Sequence, residues 1–471
     1  MPRTKIICTI GPKSQPPEIL ERLIRAGMNV ARLNFSHGTQ SEHGEVITEV
    51  RSISKRLGYP VAILQDLAGP KIRIGEIEGG SITLESGETF ILTNRQVKGN
   101  KHEVSITYPD LPKEIQPGDT LLLSDGALEL EVLQTDGTDI ESRVIIGGPL
   151  SSHKGINLPT RSIRASSFTN KDKNDLAFGI EQEVDYVALS FVRAASDILE
   201  VRRFIEDRGC DIPIIAKIEK HEALEKIDEI IEAVDGIMVA RGDLGVEIPL
   251  EKVPLVQKML IEKSNRAGKP VITATQMLRS MVDNPRPTRA EVTDVANAIL
   301  DGTDAVMLSE ETAMGNYPVE AVEMMAKIAE DAELGFPYHL WIYRFESKNV
   351  KTVPEAVSHA ACSLAENIDA SSIVTFTYSG STARLVSKYR PRRPILALTP
   401  LEKTYRQLAL TWGVTPILGQ KMNGTDKMIE KVTEIALKSG LTKRGERVVI
   451  TAGLPLGVPG TTNLIKAVML N

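Results

Sequence analysis

Short apolar runs recur along the chain, each bounded by polar residues and followed by a helix-like pattern. They are 4–10 (TKIICTI), 28–33 (MNVARL), 61–66 (VAILQD), 184–190 (VDYVALS), 213–219 (PIIAKIE), 234–241 (VDGIMVAR), 270–275 (PVITAT) and 303–309 (TDAVMLS). Their polar alternation is lost, as in strands covered on both faces, so they are predicted to be buried parallel strands. Eight strand–helix units are the count of a (β/α)8 TIM barrel.

Between the third and fourth runs the pattern changes. Residues 70–166 carry repeated turn signals (EGG, ESGE, QPGD, SDG, TDGTD, IGGP) with short β-prone segments such as SITLES, TLLLSD and SRVIIG between them. No helix-length amphipathic stretch interrupts them. This predicts a small antiparallel β domain, a β-barrel inserted after the third strand, where it would sit over the barrel mouth as a lid. A helix is predicted from Pro318 to Leu334, followed by a connector, GFPYHLWIYRFESKNV. From Pro354 alternation resumes: helix 354–367, strand 372–377, helix 380–389, strand 394–398, helices 401–411 and 425–439, strand 446–451. The predicted division is a barrel domain at 1–69 and 167–345, an inserted β domain at 70–166 and a C-terminal α/β domain at 346–471. A length of 471 residues suits about three domains.

Composition narrows the function classes. With 56 Lys plus Arg against 62 Asp plus Glu, the net charge is −6, which gives no global pull toward nucleic acid or an anionic membrane. Aromatics at 4% argue against stacking on single strands. Cys8, Cys210 and Cys362 form no CxxC pair and no disulfide framework, as expected in a reducing compartment. The N-terminal apolar run is too short for a signal peptide, and no stretch approaches a membrane span. A cytoplasmic, soluble protein is expected.

In such a barrel the active site is built at the C-terminal ends of the strands. Those ends carry Arg32, Asn34 and Ser36; Asp66; Lys217 and Glu219; Arg241 and Asp243; Thr273, Thr275 and Gln276; Ser309, Glu310 and Glu311. Glu219 and Asp243 suit one hard divalent cation such as Mg²⁺, or alternatively a structural ion-pair network. Arg32 and Lys217 suit a phosphate or an enolate. Gly242 and Asp243 stand at a turn opening a short helix, where backbone N–H groups favour an anion. Together these point to a phosphorylated small acid as substrate. No GxxxxGK[ST] loop, no GxGxxG after a strand and no HExxH occurs, so any nucleotide or metal is held by other means. TYSGSTAR at 377–384 is a Ser/Thr/Gly loop between strand and helix, suited to cradle a phosphate or simply to cap the helix.

At these residues the chain resembles the pyruvate kinase family over nearly its whole length. The motifs are CTIGP at 8–12, GMNVARLNFSHG at 27–38, DLAGPKIR at 66–73, HKGINLP at 153–159, KIE at 217–219, IMVARGDLGVEIP at 237–249, ITATQMLRSM at 272–281, NPRPTRAEVTDVANAILDGTDAVMLS at 284–309 and TTN at 461–463. The resemblance implies phosphoryl transfer from phosphoenolpyruvate to ADP, giving pyruvate and ATP. It implies Arg32 and Lys217 on the phosphoryl group, Mg²⁺ or Mn²⁺ on Glu219 and Asp243, and a second metal arriving with the nucleotide. It implies the carboxylate on the backbone of Arg241, Gly242 and Asp243 with Thr275, and Ser309 beside the substrate. Thr275 and a water would lie near the face where carbon is protonated. Arg73, His37 and Asn34 match nucleotide positions, though His37 has the plainer reading of a loop histidine.

Many relatives bind K⁺ through residues matching Asn34, Ser36 and Asp66, with a Thr following the Asp and Glu at the position of Lys71. Here Leu67 and Lys71 depart from that pattern, and the expectation is that the Lys71 ammonium replaces K⁺. Ala194 stands where many relatives have Lys, and Glu310 replaces a small residue. The loop Thr377, Ser379, Gly380, Ser381, Thr382 resembles the family's effector phosphate loop, with LPLGVPGTTN at 454–463 closing over it. Activation by a phosphorylated sugar or a nucleotide monophosphate is expected, and a homotetramer by resemblance. The competing readings are another enolate-forming barrel, such as a 2-oxo-acid aldolase or lyase, and a catalytically silent sugar-phosphate sensor.

Overall fold

In the computed structural model, residues 2–159, 161, 166–344, 352–422, 424–438, 440–458 and 460–470 are described. The predicted boundary at 345/346, the end of the connector and Pro459 of the 454–463 segment lie outside them.

Eight parallel strands close into a barrel: Lys5–Thr9, Met28–Asn34, Ala62–Asp66, Tyr186–Leu189, Ile214–Ile218, Gly236–Ala240, Val271–Ala274 and Ala305–Leu308. Each pairs with its predecessor in the chain, and the last closes on the first through Lys5↔Ala305 to Cys8↔Leu308. Strand residues are buried on both faces, which is why the sequence runs lack alternation. Ile6 and Cys8 point outward to the surrounding helices, while Ile7 joins Val30, Leu64, Met238 and Ile272 inside. Ala409 and Leu410, from the C-terminal domain, belong to this inner cluster, and Tyr186 Oη donates to Gln407 O at 2.7 Å. The barrel is therefore a packed core, leaving only its rim for chemistry.

Between the third and fourth barrel strands lies a six-stranded sheet with its own apolar core around Phe90, Leu92, Leu121 and Leu130. Its order is Ile156–Asn157, Thr120–Leu123, Leu128–Thr135, Asp139–Ile146, Thr89–Thr93 and Glu103–Ser105. A two-stranded ribbon, Ser81–Leu84 with Gly148–Ser151, completes it. One pairing departs from the antiparallel expectation, since Thr89–Thr93 and Glu103–Ser105 run parallel, and a one-turn helix forms at Leu111–Glu114.

The C-terminal unit is a five-stranded sheet ordered Val414–Leu418, Ile395–Thr399, Ser372–Phe376, Arg447–Gly453, Thr462–Met469, with only the last strand antiparallel. Two of its strands escape sequence reading. Val414–Leu418 contains Pro416, and Thr462–Met469 is a half-exposed edge whose apolar residues are broken by Lys466. The helix expected over 401–411 stops at Gln407 and tightens into a 3-10 turn at Leu408–Leu410, the segment that plugs the barrel. The expected connector holds a helix, Tyr338–Tyr343, whose Tyr338 and Trp341 pack with Phe336 and Trp412. Among the described residues no helix is long and apolar enough to cross a membrane.

Candidate active site

The rim is organised around a buried ionic cluster. Arg32, from the second strand, donates through Nε to Asp66 Oδ2 at 2.7 Å and through Nη1 to Thr9 Oγ1 at 2.9 Å. Lys217, from the fifth strand, lies 3.3 Å from Asp66 Oδ1 and 2.9 Å from Glu219 Oε1, and donates to Ser190 Oγ at 2.8 Å. Asp66 and Glu219 are each 1% exposed. Ions so far from water persist only when paired and hydrogen-bonded. Arg32 and Asp66 meet across neighbouring strands, Lys217 reaches Asp66 past the fourth strand end at Ser190, and Lys217 and Glu219 stand two residues apart on the same face of one strand end.

Burial raises the Asp66 carboxyl, but the Lys217 and Arg32 charges outweigh it and hold the group below its usual range. Burial lowers Lys217, and Asp66 and Glu219 more than reverse it, so the ammonium stays protonated. Glu219 differs. Burial raises it, Lys217 draws it down, and the Asp243 charge pushes it up again, for a net rise. Its Oε2 accepts the Phe191 N–H at 2.7 Å. Two carboxylates, Glu219 and Asp243, on the ends of the neighbouring fifth and sixth strands are a hard-oxygen donor set that suits a divalent cation.

Asp243 stands in the helix Arg241–Glu247, which starts directly at the end of the sixth strand. Lys71 Nζ, from the inserted segment, lies 3.8 Å from Asp243 Oδ1 and 3.9 Å from Asp125 Oδ1. The Arg241 side chain turns away from the mouth, with Nη1 on Asp294 Oδ1 at 2.7 Å and Nη2 on Thr275 O at 2.8 Å. It braces the sixth and seventh strand ends rather than presenting a free cation. Thr275 and Gln276 have φ of 69° and 55°. For a β-branched residue that conformation costs of order 1–3 kcal/mol, and such strain concentrates at working sites. It places Thr275 Oγ1 to accept the Gly242 N–H at 2.8 Å and to donate to Ala274 O at 2.6 Å.

His37 is exposed beside the rim. Partial desolvation lowers its pKa, helped by the charges of Arg73, Arg32 and Lys71. Arg73 Nη1 donates to His153 O at 3.0 Å. Asn34 Oδ1 accepts the Ser36 N–H at 3.1 Å, so these two form a local turn, and the Ser36 side chain is exposed. Leu67 does not face the mouth. It packs in the core outside the barrel, and only its carbonyl, accepting from Ser190 Oγ at 2.7 Å, points to the ionic cluster. Ser309 N–H donates to Glu311 Oε2 at 2.7 Å, and Leu278 N–H to Glu311 Oε1 at 3.1 Å. Glu310 instead reaches outward to Arg279 Nε at 2.8 Å. Ala194 precedes a helix whose Asp197 accepts its N–H at 3.2 Å.

Sequence reasoning passed over Ser190, which sits between Lys217 and the Leu67 carbonyl, and Asp294, which holds Arg241. It noted Glu311 as a rim carboxylate but not as the tie between the seventh and eighth strand ends. Ser190 ends the VDYVALS run, and that position was the available signal.

A second, narrow cleft lies in the C-terminal unit, lined by Thr377, Ser379, Ser381, Thr382, Gly457 and Thr461 among others. Gly380, at φ 82°, turns the chain into the helix Ser381–Lys388, and its N–H donates to Thr377 Oγ1 at 3.0 Å. Ser379 Oγ donates to Ser381 Oγ at 3.2 Å, and Thr382 Oγ1 lies 2.7 Å from Thr462 Oγ1.

Comparison with known proteins matches residues 1–322 to the pyruvate kinase barrel domain and 355–468 to the pyruvate kinase alpha/beta domain. The pyruvate kinase of Clostridium acetobutylicum is 48% identical over 468 residues, covering 99% of each chain. That of Geobacillus stearothermophilus is 50% identical over 467 residues, covering 98% of this chain and 80% of the relative. That of Thermotoga maritima is 45% identical over 471 residues, covering 100% of both.

Proposed function

The chain belongs to the pyruvate kinase family of phosphotransferases, and from that premise we propose how its own residues carry the reaction and its control. The buried Arg32–Asp66–Lys217–Glu219 cluster at the strand ends is the observation that carries the reading. It sets two cations on the rim, both paired with the buried Asp66 and one of them, Lys217, also with Glu219.

Phosphoenolpyruvate binds with its phosphoryl group on Arg32 and Lys217 and its carboxylate at the Arg241–Asp243 backbone. There it takes the Gly242 N–H and frees the Thr275 hydroxyl, while Ser309 lines the far side. A terminal oxygen of ADP attacks phosphorus, the bond from phosphorus to the enol oxygen breaks, and charge spreads over groups that Arg32 and Lys217 already face. Lys217 then stabilises the enolate, which takes a proton at carbon. Thr275 and a water lie on that face. Mg²⁺ or Mn²⁺ held by Glu219 and Asp243 would supply electrostatic stabilisation of the developing oxyanion. Arg73, His37 and Asn34 receive the nucleotide, and the segment 70–166 excludes water as it closes. This assignment divides the chain as 1–69 with 167–345, 70–166, and 346–471.

K⁺ is not required in this reading. The Lys71 ammonium, 3.8 Å from Asp243 Oδ1, takes the role of the ion that relatives hold at the positions of Asn34, Ser36, Asp66 and Leu67. The Thr377–Thr382 cleft takes the phosphate of an activating sugar phosphate or nucleotide monophosphate. A homotetramer working in the cytoplasm, in the family's glycolytic role, completes the proposal.

The decisive experiment measures ATP formed from phosphoenolpyruvate and ADP with Mg²⁺, for the wild type and for Lys217→Met. Formation by the wild type and its loss in the folded variant support the reading. No ATP from the wild type, or full rate in Lys217→Met, overturns it. Membership of the family leaves no support for an aldolase or a silent sensor.

A further inference from the structure

Glu247 closes the helix Arg241–Glu247, and its side chain is fully buried. Oε1 accepts from Lys220 Nζ at 2.6 Å and from Asn157 Nδ2 at 3.4 Å, and His221 Nδ1 lies 3.2 Å from Oε2. Its partners come from two other parts of the chain. Lys220 and His221 follow Glu219 directly at the end of the fifth strand. Asn157 belongs to the returning strand of the inserted segment, shortly before the chain re-enters the barrel.

The inserted segment touches the same helix twice more. Lys71 lies 3.8 Å from Asp243, and the Ser124–Gly126 turn faces Val246, whose Cγ1 would stand 3.7 Å from a Cβ at Gly126. Ser124, Asp125 and Gly126 all have positive φ, 52°, 56° and 88°, so this is a tight left-handed turn. A narrow cleft opens alongside, lined by Lys71, Asn157, Phe191 and Lys220 among others. The helix is thus the seat on which the inserted segment rests, bonded at Glu247, paired at Asp243 and faced by the Gly126 turn at Val246.

A carboxylate removed from water needs a counter-charge and partners for its remaining lone pairs. Lys220 supplies the charge, and Asn157 and His221 the partners. The same bonds join three pieces that each carry part of the active site. We propose that Glu247 is a positioning residue that seats the inserted segment on the barrel and fixes Glu219 relative to Asp243. The proposal rests on the reading of Glu219 and Asp243 as cation ligands. His221, Glu222 and Glu247 also place ligand atoms within 4.8 Å of one another, but the Lys220 ammonium already occupies Glu247 Oε1, which favours an ion pair over a metal site.

The test uses the full-length enzyme and three variants: Asn157→Ala, Glu247→Gln and the double Lys220→Met/Glu247→Gln. Thermal stability, Mn²⁺ binding by electron paramagnetic resonance, and hydrogen exchange in the Ile156–Asn157 strand and the Ser124–Gly126 turn are read beside kcat. Asn157→Ala is expected to speed exchange in both segments and lower kcat with Mn²⁺ affinity unchanged. Glu247→Gln is expected to do the same and to weaken Mn²⁺ binding about tenfold, the range for groups that orient metal ligands. The double variant is expected to regain thermal stability while exchange and Mn²⁺ affinity stay altered. Recovery of all three in the double variant, wild-type exchange in Asn157→Ala, or loss of a whole Mn²⁺ equivalent in Glu247→Gln overturns the proposal. None of the binding and exchange readouts needs turnover. A wild type that binds Mn²⁺ but makes no ATP would instead defeat the assigned reaction and leave these measurements standing.

Discussion

Lys71 Nζ and Asp243 Oδ1 stand 3.8 Å apart across the cleft between the inserted segment and the barrel. One is the first cation after the chain leaves the barrel, and the other is a rim carboxylate. A side-chain ammonium here brings charge that never dissociates, whereas a bound monovalent ion must be recruited from solution.

Lys71→Glu therefore tests the source of that charge. The wild type is expected to run at full rate in K⁺-free buffer. The variant is expected to lose activity by about a hundredfold, the scale for losing one preorganised charge, and to recover on adding K⁺. A many-fold activation of the wild type by K⁺ would show that Lys71 does not serve this purpose.

Thr275 holds the Gly242 N–H through a strained backbone, so its hydroxyl and its conformation can be separated. Thr275→Ser keeps the hydroxyl and is expected to retain most of kcat. Thr275→Val keeps the shape, and its kcat is expected to fall about a hundredfold with KM for phosphoenolpyruvate changed far less. Equal loss in both variants would assign the effect to the backbone.

Asp66 links its pairing to stability. Its folded carboxyl titrates below the ordinary value of about 3.9. The unfolded state therefore binds more protons in the window between the two, and the stabilisation is full above the ordinary value and lost as pH falls through the folded one. Asp66→Asn leaves Arg32 and Lys217 buried beside a neutral group and is expected to cost about 3–5 kcal/mol at neutral pH. Urea unfolding near pH 7 and near pH 3 should show the gap between wild type and variant narrowing in acid. A gap independent of pH would contradict it.

The triple change of Ser379, Ser381 and Thr382 to Ala is expected to abolish activation by phosphorylated effectors and leave basal kcat unchanged. The check is a set of phosphoenolpyruvate saturation curves with and without a panel of sugar phosphates and nucleotide monophosphates. Sigmoidal wild-type curves that no such compound shifts would remove the effector role from this cleft.

The sequence by itself determined the eight barrel strands, because burial on both faces writes a continuous apolar run that needs no partner to be recognised. It determined which residues end those strands, and so which side chains reach the rim. Distant partners were invisible to it. Nothing in the sequence ties Arg241 to Asp294 and the Thr275 carbonyl, or Glu247 to Lys220 and to Asn157 of the inserted sheet. Leu67 shows the same limit in reverse, since a side chain next to Asp66 in sequence points out of the barrel on the opposite face. Val414–Leu418 and Thr462–Met469 become strands because neighbouring strands offer them backbone hydrogen bonds, despite weak local patterns. Tertiary structure decided these matters for one reason: a buried charge or an edge strand is stable only when a chain segment far away in sequence supplies its missing partner.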